Sequence, residues 1–386
     1  VRSKLLILAI LSGIFIAPSS RAEAYHPFES KKLDVAIEAS AGETFDDNVT
    51  FTKTNKKWDL VSELDVGLRA KYEGRQHLLD LKGGTTQQIF ARESDFNNNA
   101  QNADLKYEYL MTDKDTLRFK NNFKHYEEAR SFDDQFGSTN GRYSRLRNRA
   151  DLEYMRLFSS QWSGTLKYGN EFNLLSRSDL RDSMINRAGF NIDYARSSAT
   201  IYSLIYEFLH HAFEEAGINP SVNANVNTIA LGIKRYLSEK LFIDGRGGLD
   251  LIHDFANDFI IKPLFTVSLN AELDEKTQLQ IFKYETRSTT SSFQSSVFTA
   301  HQVSVGARRQ VSERLSVNGA AFYGRGDFES TDTKDNFFGL NASLNYDLTE
   351  DLKATLSYSF NFVDSTDSFR EYARNMAMIK LAYVFG

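Results

Sequence analysis

The 386-residue chain contains no cysteine and only 4 prolines. Without cysteine it has no disulfide, thiolate metal site, catalytic thiol or lipidated N-terminal cysteine, so it is not a lipoprotein. No Pro/Ser-rich boundary or change of periodicity divides the chain after Ser30, which points to one domain. Beyond the N-terminus, no run of about 18 consecutive apolar residues exists, and that excludes a helical membrane protein. A β-barrel escapes the test, because only every second residue of its strands meets lipid. The formal charge of −5 is mild and says little about partners. No glycine-rich phosphate loop is present, and nothing points to nucleic acid.

What is present begins with a targeting pattern. Arg2 and Lys4 precede an apolar run from Leu5 to Ala17, followed by Pro18, Ser19, Ser20 and the small-x-small site Ala22-Glu23-Ala24. This reads as a signal peptide over residues 1–24, cleaved to leave Tyr25 at the new N-terminus. A short periplasmic tail over 25–32 and a barrel over 33–386 are expected to follow.

Four stretches set the rhythm of the rest: Leu237-Ser-Glu-Lys, Leu273-Asp-Glu-Lys, Val311-Ser-Glu-Arg and Leu348-Thr-Glu-Asp, spaced 36 to 38 residues apart. Each lies between two runs in which apolar and polar residues alternate. Further turns are expected at Glu73-Gly74-Arg75, Thr112-Asp113-Lys114, Ser159-Ser160-Gln161 and Arg196-Ser197-Ser198. Longer polar segments separate them. Within the runs, Leu105, Tyr107 and Tyr109 oppose Asp104, Lys106 and Glu108, and Leu356, Tyr358 and Phe360 oppose Ser357, Ser359 and Asn361. One face suits lipid and the other a polar lumen.

The predicted fold class is therefore all-β, a transmembrane antiparallel up-and-down β-barrel of about 18 strands, with 16 as the alternative count. Short turns are expected on the periplasmic side and long loops outside. Pro263, inside the alternating run Phe259 to Ala271, predicts a local bulge. Trp58, Tyr72, Trp162, Tyr194, Tyr346 and Tyr383 are candidates for aromatic girdles at the two membrane interfaces. The parity is least regular between Asn173 and Val226, where a long loop is expected over His211 to Asn225. The closing alternation of Ile379, Leu381, Tyr383 and Phe385 resembles the terminal strand read by the barrel-assembly machinery, although Gly386 follows the aromatic. A soluble β-sandwich could also end on a strand, but it rarely supplies this many hairpins with an aromatic face.

Candidate lumen chemistry centres on Arg145, Arg147 and Arg149, which alternate along one strand with Asp151 and Glu153 continuing their face. The preceding strand offers Arg118, Lys120 and Lys124. These eight pore-lining candidates form a basic ladder able to attract anions, or ion pairs that merely fill a polar interior. A constriction is expected from the loop bearing Glu127, Glu128, Phe132, Asp133, Asp134 and Phe136. Enzymatic readings fare poorly. His210-His211 beside Glu214 and Glu215 would make a metal site only on a helix, and is read as a loop or strand-end pair. His125 and His301 lack a partner at a defined spacing. Asp46-Asp47-Asn48 could ligate calcium but is read as a solvated turn, and Arg325-Gly326-Asp327 is read as a hairpin tip. No catalytic residue, metal site or cofactor is expected.

The segment Glu43-Thr44-Phe45-Asp46-Asp47-Asn48-Val49-Thr50, then Asp59-Leu60-Val61 and Asp65-Val66-Gly67-Leu68, resembles the first hairpin of the outer-membrane β-barrel family associated with bacterial exopolysaccharide systems, of the beta-barrel porin 2 kind. The motif residues are Phe45, Asp46, Asp47, Asn48, Asp59 and Gly67, with Val66 where the family often has proline. The resemblance implies a bacterial outer-membrane channel that helps an exopolysaccharide or another envelope polymer across. It implies as partners outer-membrane lipid and lipopolysaccharide, the barrel-assembly machinery, a periplasmic polysaccharide-export protein, and a polysaccharide or small solute. A general or anion-preferring diffusion porin and a structural or adhesive surface barrel are the alternatives.

Overall fold

A computed structural model describes residues 33–127, 142–177, 180–214, 222–253, 258–291, 296–329 and 332–385. Among them are eighteen strands: β1 (Leu33–Asp46), β2 (Asp59–Glu73), β3 (His77–Phe90), β4 (Asn98–Leu110), β5 (Asp115–Tyr126), β6 (Arg145–Leu157), β7 (Trp162–Leu175), β8 (Ser183–Ser197), β9 (Thr200–Phe213), β10 (Val222–Tyr236), β11 (Leu241–His253), β12 (Phe259–Asp274), β13 (Thr277–Ser291), β14 (Ser296–Gln310), β15 (Leu315–Phe328), β16 (Lys334–Asp347), β17 (Leu352–Ser365) and β18 (Tyr372–Phe385). The expected signal segment and tail lie outside the described residues. So do Glu128, Phe132, Asp133, Asp134 and Phe136.

The short turns owe their recurrence to one device. A hydroxyl or carboxylate at the head of the turn accepts a backbone N–H two or three residues on, which satisfies a donor that a tight turn would otherwise strand. Ser159 Oγ takes Trp162 N at 3.1 Å, Ser312 Oγ takes Leu315 N at 3.1 Å, and Thr349 Oγ1 takes Leu352 N at 3.0 Å. Asp274 Oδ1 accepts Lys276 N at 2.8 Å. Flanking backbone bonds repeat too, as in Val311 N to Leu315 O and Leu348 N to Leu352 O, both 2.8 Å. This is why Ser, Thr or Asp heads each repeat in the sequence.

Each strand pairs antiparallel with its chain neighbours, and β1 pairs with β18 from Ile37 opposite Phe385 to Asp46 opposite Met376. The sheet is thus closed and leaves no edge. Cross-strand partners share a face, so the register carries one parity around the barrel. Leu64, Val66, Leu166, Leu204, Ile229, Leu231, Leu356, Ile379 and Leu381 are exposed on the outer wall. They form the apolar belt that lipid would cover. Phe45 and Trp58, with ring centroids 6.1 Å apart, stand at its long-loop end. Trp162 and Tyr194, 4.7 Å apart, stand with Tyr346 and Tyr383 near the short turns. Tyr72 shares the outer parity but is buried, unlike the other girdle candidates.

Three local expectations are corrected. No register shift occurs at Pro263, which sits opposite Leu249 in an unbroken ladder to β11. The shifts fall at Leu269/Asn270 and Glu272/Asp274, while the β12–β13 ladder stops at Thr266. Beyond it the Thr286 hydroxyl accepts Phe265 N at 2.7 Å and donates to Pro263 O at 3.1 Å, so a side chain replaces the missing backbone partner. His211 to Asn225 is not a long loop, because β9 runs to Phe213 and β10 begins at Val222. Arg325-Gly326-Asp327 is not a hairpin tip but part of β15.

Candidate functional site

The lumen has two unlike sectors. On β14 to β18 its inward face is short on charge. Gln302, Ser304, Asn318, Asn341, Ser343, Ser357, Ser359 and Asn361 alternate there with small residues, and towards the long loops with Phe298, Phe328 and Phe337. These three rings are buried with Phe51, Val363 and Tyr372 in an apolar cluster inside the barrel. Glycines on adjoining strands admit them: a Cβ at Gly324 would lie 2.2 Å from the Phe337 ring, and one at Gly326 2.3 Å from Phe298. An interior aromatic core departs from the expected purely polar lumen.

Phe51 comes from the 47–58 loop, which folds inward rather than into solvent. Val49 is buried with Val61 and Phe90, while Phe51 reaches the cluster on the far side of β1 and β18. Phe51 adopts a left-handed φ of 56°, uncommon for a bulky residue, and is held edge-on to Tyr372 at 5.4 Å and beneath the Arg374 guanidinium at 4.4 Å. Arg142 clamps the loop from β6's approach, its Nε donating to Val49 O at 2.9 Å with its guanidinium over Phe90.

The Phe45-Asp46-Asp47-Asn48 motif anchors this wedge. Asp46 forms a buried, bidentate ion pair with Arg374, whose Nε lies 3.1 Å from each carboxylate oxygen. Asp47 accepts the Asn375 N–H and side-chain amide, both at 2.7 Å. Asn48, fully buried, donates to Thr52 O at 2.7 Å and Ala373 O at 3.0 Å. The predicted solvated turn is therefore wrong, since these groups weld the first loop to the last strand across the barrel's closing seam. Asp59 accepts the backbone N–H groups of Leu60, Arg92 and Glu93 at 2.8 to 3.0 Å. Gly67 faces Gly84 across β2 and β3. Beneath the wedge lies a cavity of about 100 Å³ lined by Glu63, Gln88, Ser357, Ser359, Met376 and Met378 among others.

The opposite sector, β4 to β9, carries the predicted charges. Arg147 Nε meets Glu171 Oε1 at 2.9 Å, and Arg187 meets the other oxygen at 3.2 Å. Arg149 pairs with Asp151 at 2.8 Å and Arg118 with Glu108 at 2.6 Å. Arg145 donates to the neutral Asn173 at 2.9 Å. Glu153 stands opposite Arg118 and Lys167, and Lys120 opposite Lys106 and Asp151. Among the described residues, Lys106, Lys120 and Lys124 make no ion pair. The sector thus combines paired arginines with unpaired ammonium groups.

Other candidates do not assemble. His210 and His211 sit on a strand and so face opposite sides; His210 Nδ1 bonds Asn225 at 2.8 Å and His211 is buried. His125 contacts Gln101 and Ser144, and His301 contacts Tyr284. No group of three or more potential metal ligands occurs among the described residues. Sequence reasoning missed Arg142, Arg370, Arg374 and the inward phenylalanines. The Phe337-Phe338 and Val297-Phe298 doublets were available signals, since two adjacent apolar residues in a strand demand cover on both faces.

A model of the family described as "Putative beta-barrel porin 2" matches residues 257–385, the end of the chain rather than the first hairpin. No curated protein matches. Among solved structures, the FrpB iron transporter from Neisseria meningitidis (F5-1 variant) is similar at 9% identity and a TM-score of 0.50, over 92% of this chain and 83% of that one. OpdK from Pseudomonas aeruginosa is similar at 10% identity and a TM-score of 0.48, over 91% and 98%. The siderophore receptor PirA from Pseudomonas aeruginosa is similar at 8% identity and 0.47, over 91% and 80%. The likeness is one of fold. The chain is a closed β-barrel of the bacterial outer membrane.

Proposed function

We propose that the barrel is a non-catalytic channel for a polyhydroxylated, acid-bearing solute, an exopolysaccharide or other envelope polymer on its way out of the cell. The observation that carries this reading is the two-sided lumen. A wall of hydroxyls and amides on β14 to β18 matches sugar hydroxyls, which both donate and accept. The facing wall offers Lys106, Lys120 and Lys124 alongside paired arginines, so an acidic chain can exchange partners stepwise rather than bind once. The inward wedge narrows the long-loop end, as a polymer conduit that must not leak small solutes requires.

In this reading residues 1–24 are the cleaved signal, 25–32 a periplasmic tail, and 33–386 the barrel. Ile379, Leu381, Tyr383 and Phe385 serve as the assembly signal, lipopolysaccharide surrounds the outer leaflet, and a periplasmic export protein docks at the short turns. A diffusion porin with anion preference is the second reading, favoured by the half-exposed lumen cations. Planar-bilayer recording separates the two. The export reading expects small currents, blocked by oligogalacturonate at concentrations where neutral dextran has no effect. Large, steady conductance indifferent to oligogalacturonate would refute it and favour the porin.

A further inference from the structure

Arg181 lies just ahead of β8. Asp182 Oδ1 accepts Leu175 N at 2.7 Å and Asp182 O accepts Glu214 N at 2.9 Å, so the ladder extends one residue past the strand. Arg181 therefore continues the lumen-facing parity of Ser183 and Arg187. Its residue is only 7% exposed, yet among the described residues its side chain makes no hydrogen bond or ion pair, and Nη1 is wholly buried without a partner. Burial accordingly pulls the guanidinium below the ordinary arginine range. Buried charges are nearly always paired, since an unpaired one carries a desolvation penalty of several kcal/mol.

Among the described residues, no nearby carboxylate is left over to fill the role. Glu171 is shared by Arg147 and Arg187, and Asp182 accepts a backbone N–H. The neutral Asn173 lies alongside, its Oδ1 taking Arg145 and its Nδ2 reaching Ser183 Oγ at 3.5 Å. We propose that Arg181 forms an oxyanion-binding site at the long-loop mouth of the lumen, taking a carboxylate, phosphate or sulfate group. The site deepens the channel reading, on which it rests, by giving an acidic solute a first or last foothold. A guanidinium whose fork is not already occupied by protein acceptors offers the bidentate geometry such groups need.

The test uses the full barrel in nanodiscs titrated with inorganic phosphate, followed by calorimetry and thermal unfolding. The wild-type protein is expected to bind phosphate and unfold at a higher temperature with it. Arg181→Gln is expected to lose at least about tenfold in affinity, Arg181→Lys less, and Arg156→Gln nothing. Arg181→Met covers the event that glutamine misfolds: without phosphate it should be more stable than wild type, and phosphate should not stabilise it further. Absence of phosphate binding to wild type, or equal binding by Arg181→Gln or Arg181→Met, overturns the site. Oligogalacturonate block is scored separately. Block that persists in an Arg181 variant while phosphate binding is unchanged sinks the site but not the channel reading; phosphate binding at Arg181 without any block sinks the channel reading but not the site.

Discussion

The two sectors of the lumen use arginine in opposite ways. On the seam side, Arg374 and Arg370 are buried, each bidentate to one aspartate, Asp46 and Asp335, and each lies over a phenylalanine, Phe51 and Phe328. On the far side, Arg149 and Arg118 pair with Asp151 and Glu108 while more than a third of each arginine side chain stays exposed. A buried pair cannot release a partner without stranding a charge, whereas an exposed pair exchanges its partner with water at little cost. Apart from the buried Glu171, clamped by Arg147 and Arg187, the far sector is built to trade and the seam to hold.

The comparison breaks most visibly at the seam. Arg374→Ala is expected to destabilise the barrel by about 3–5 kcal/mol, because Asp46 would be left buried and unpaired. Urea-driven unfolding in liposomes measures it, and a cost as small as that of an exposed pair would erase the distinction. Phe51→Ala should cost about 3 kcal/mol by emptying the aromatic cluster, read in the same assay and accompanied by faster proteolysis of the 47–58 loop. Gly324→Ala should cost about 1–3 kcal/mol, since its methyl would drive into the Phe337 ring. Arg149→Gln is expected to stay within about 1 kcal/mol of wild type, yet to shift the reversal potential in a salt gradient towards cations. A stability loss equal to that of Arg374→Ala would place Arg149 among the holding groups instead.

Much of the barrel was legible because its information is local. The turn heads Ser312 and Thr349 and the alternation around Leu356 act within a few residues, so turns and strand parity could be read directly. The motif Asp46-Asp47-Asn48 was misread for the complementary reason. Its partners, Arg374, Asn375 and Ala373, lie more than 300 residues away along the chain and meet it only when β18 closes on β1. Polar residues in a polar loop look solvated until that seam exists. Pro263 was misjudged because a side chain from β13, Thr286, could stand in for the lost ladder bond. The lumen charges were visible by parity, but which of them would be neutralised depended on register: Glu171 lies opposite Arg149 yet takes Arg147 diagonally.

Because the chain has no native cysteine, single cysteines report directly on the division of the lumen. Labelling of Arg149→Cys, Phe337→Cys and Leu231→Cys with a charged, water-borne thiol reagent in liposomes tests it most closely. The expected order is rapid reaction at 149, protection at 337 that is lost when Arg374→Ala frees the wedge, and no reaction at the lipid-facing 231. Equal rates at 149 and 337 in the otherwise intact barrel would contradict a buried aromatic cluster held by the first loop.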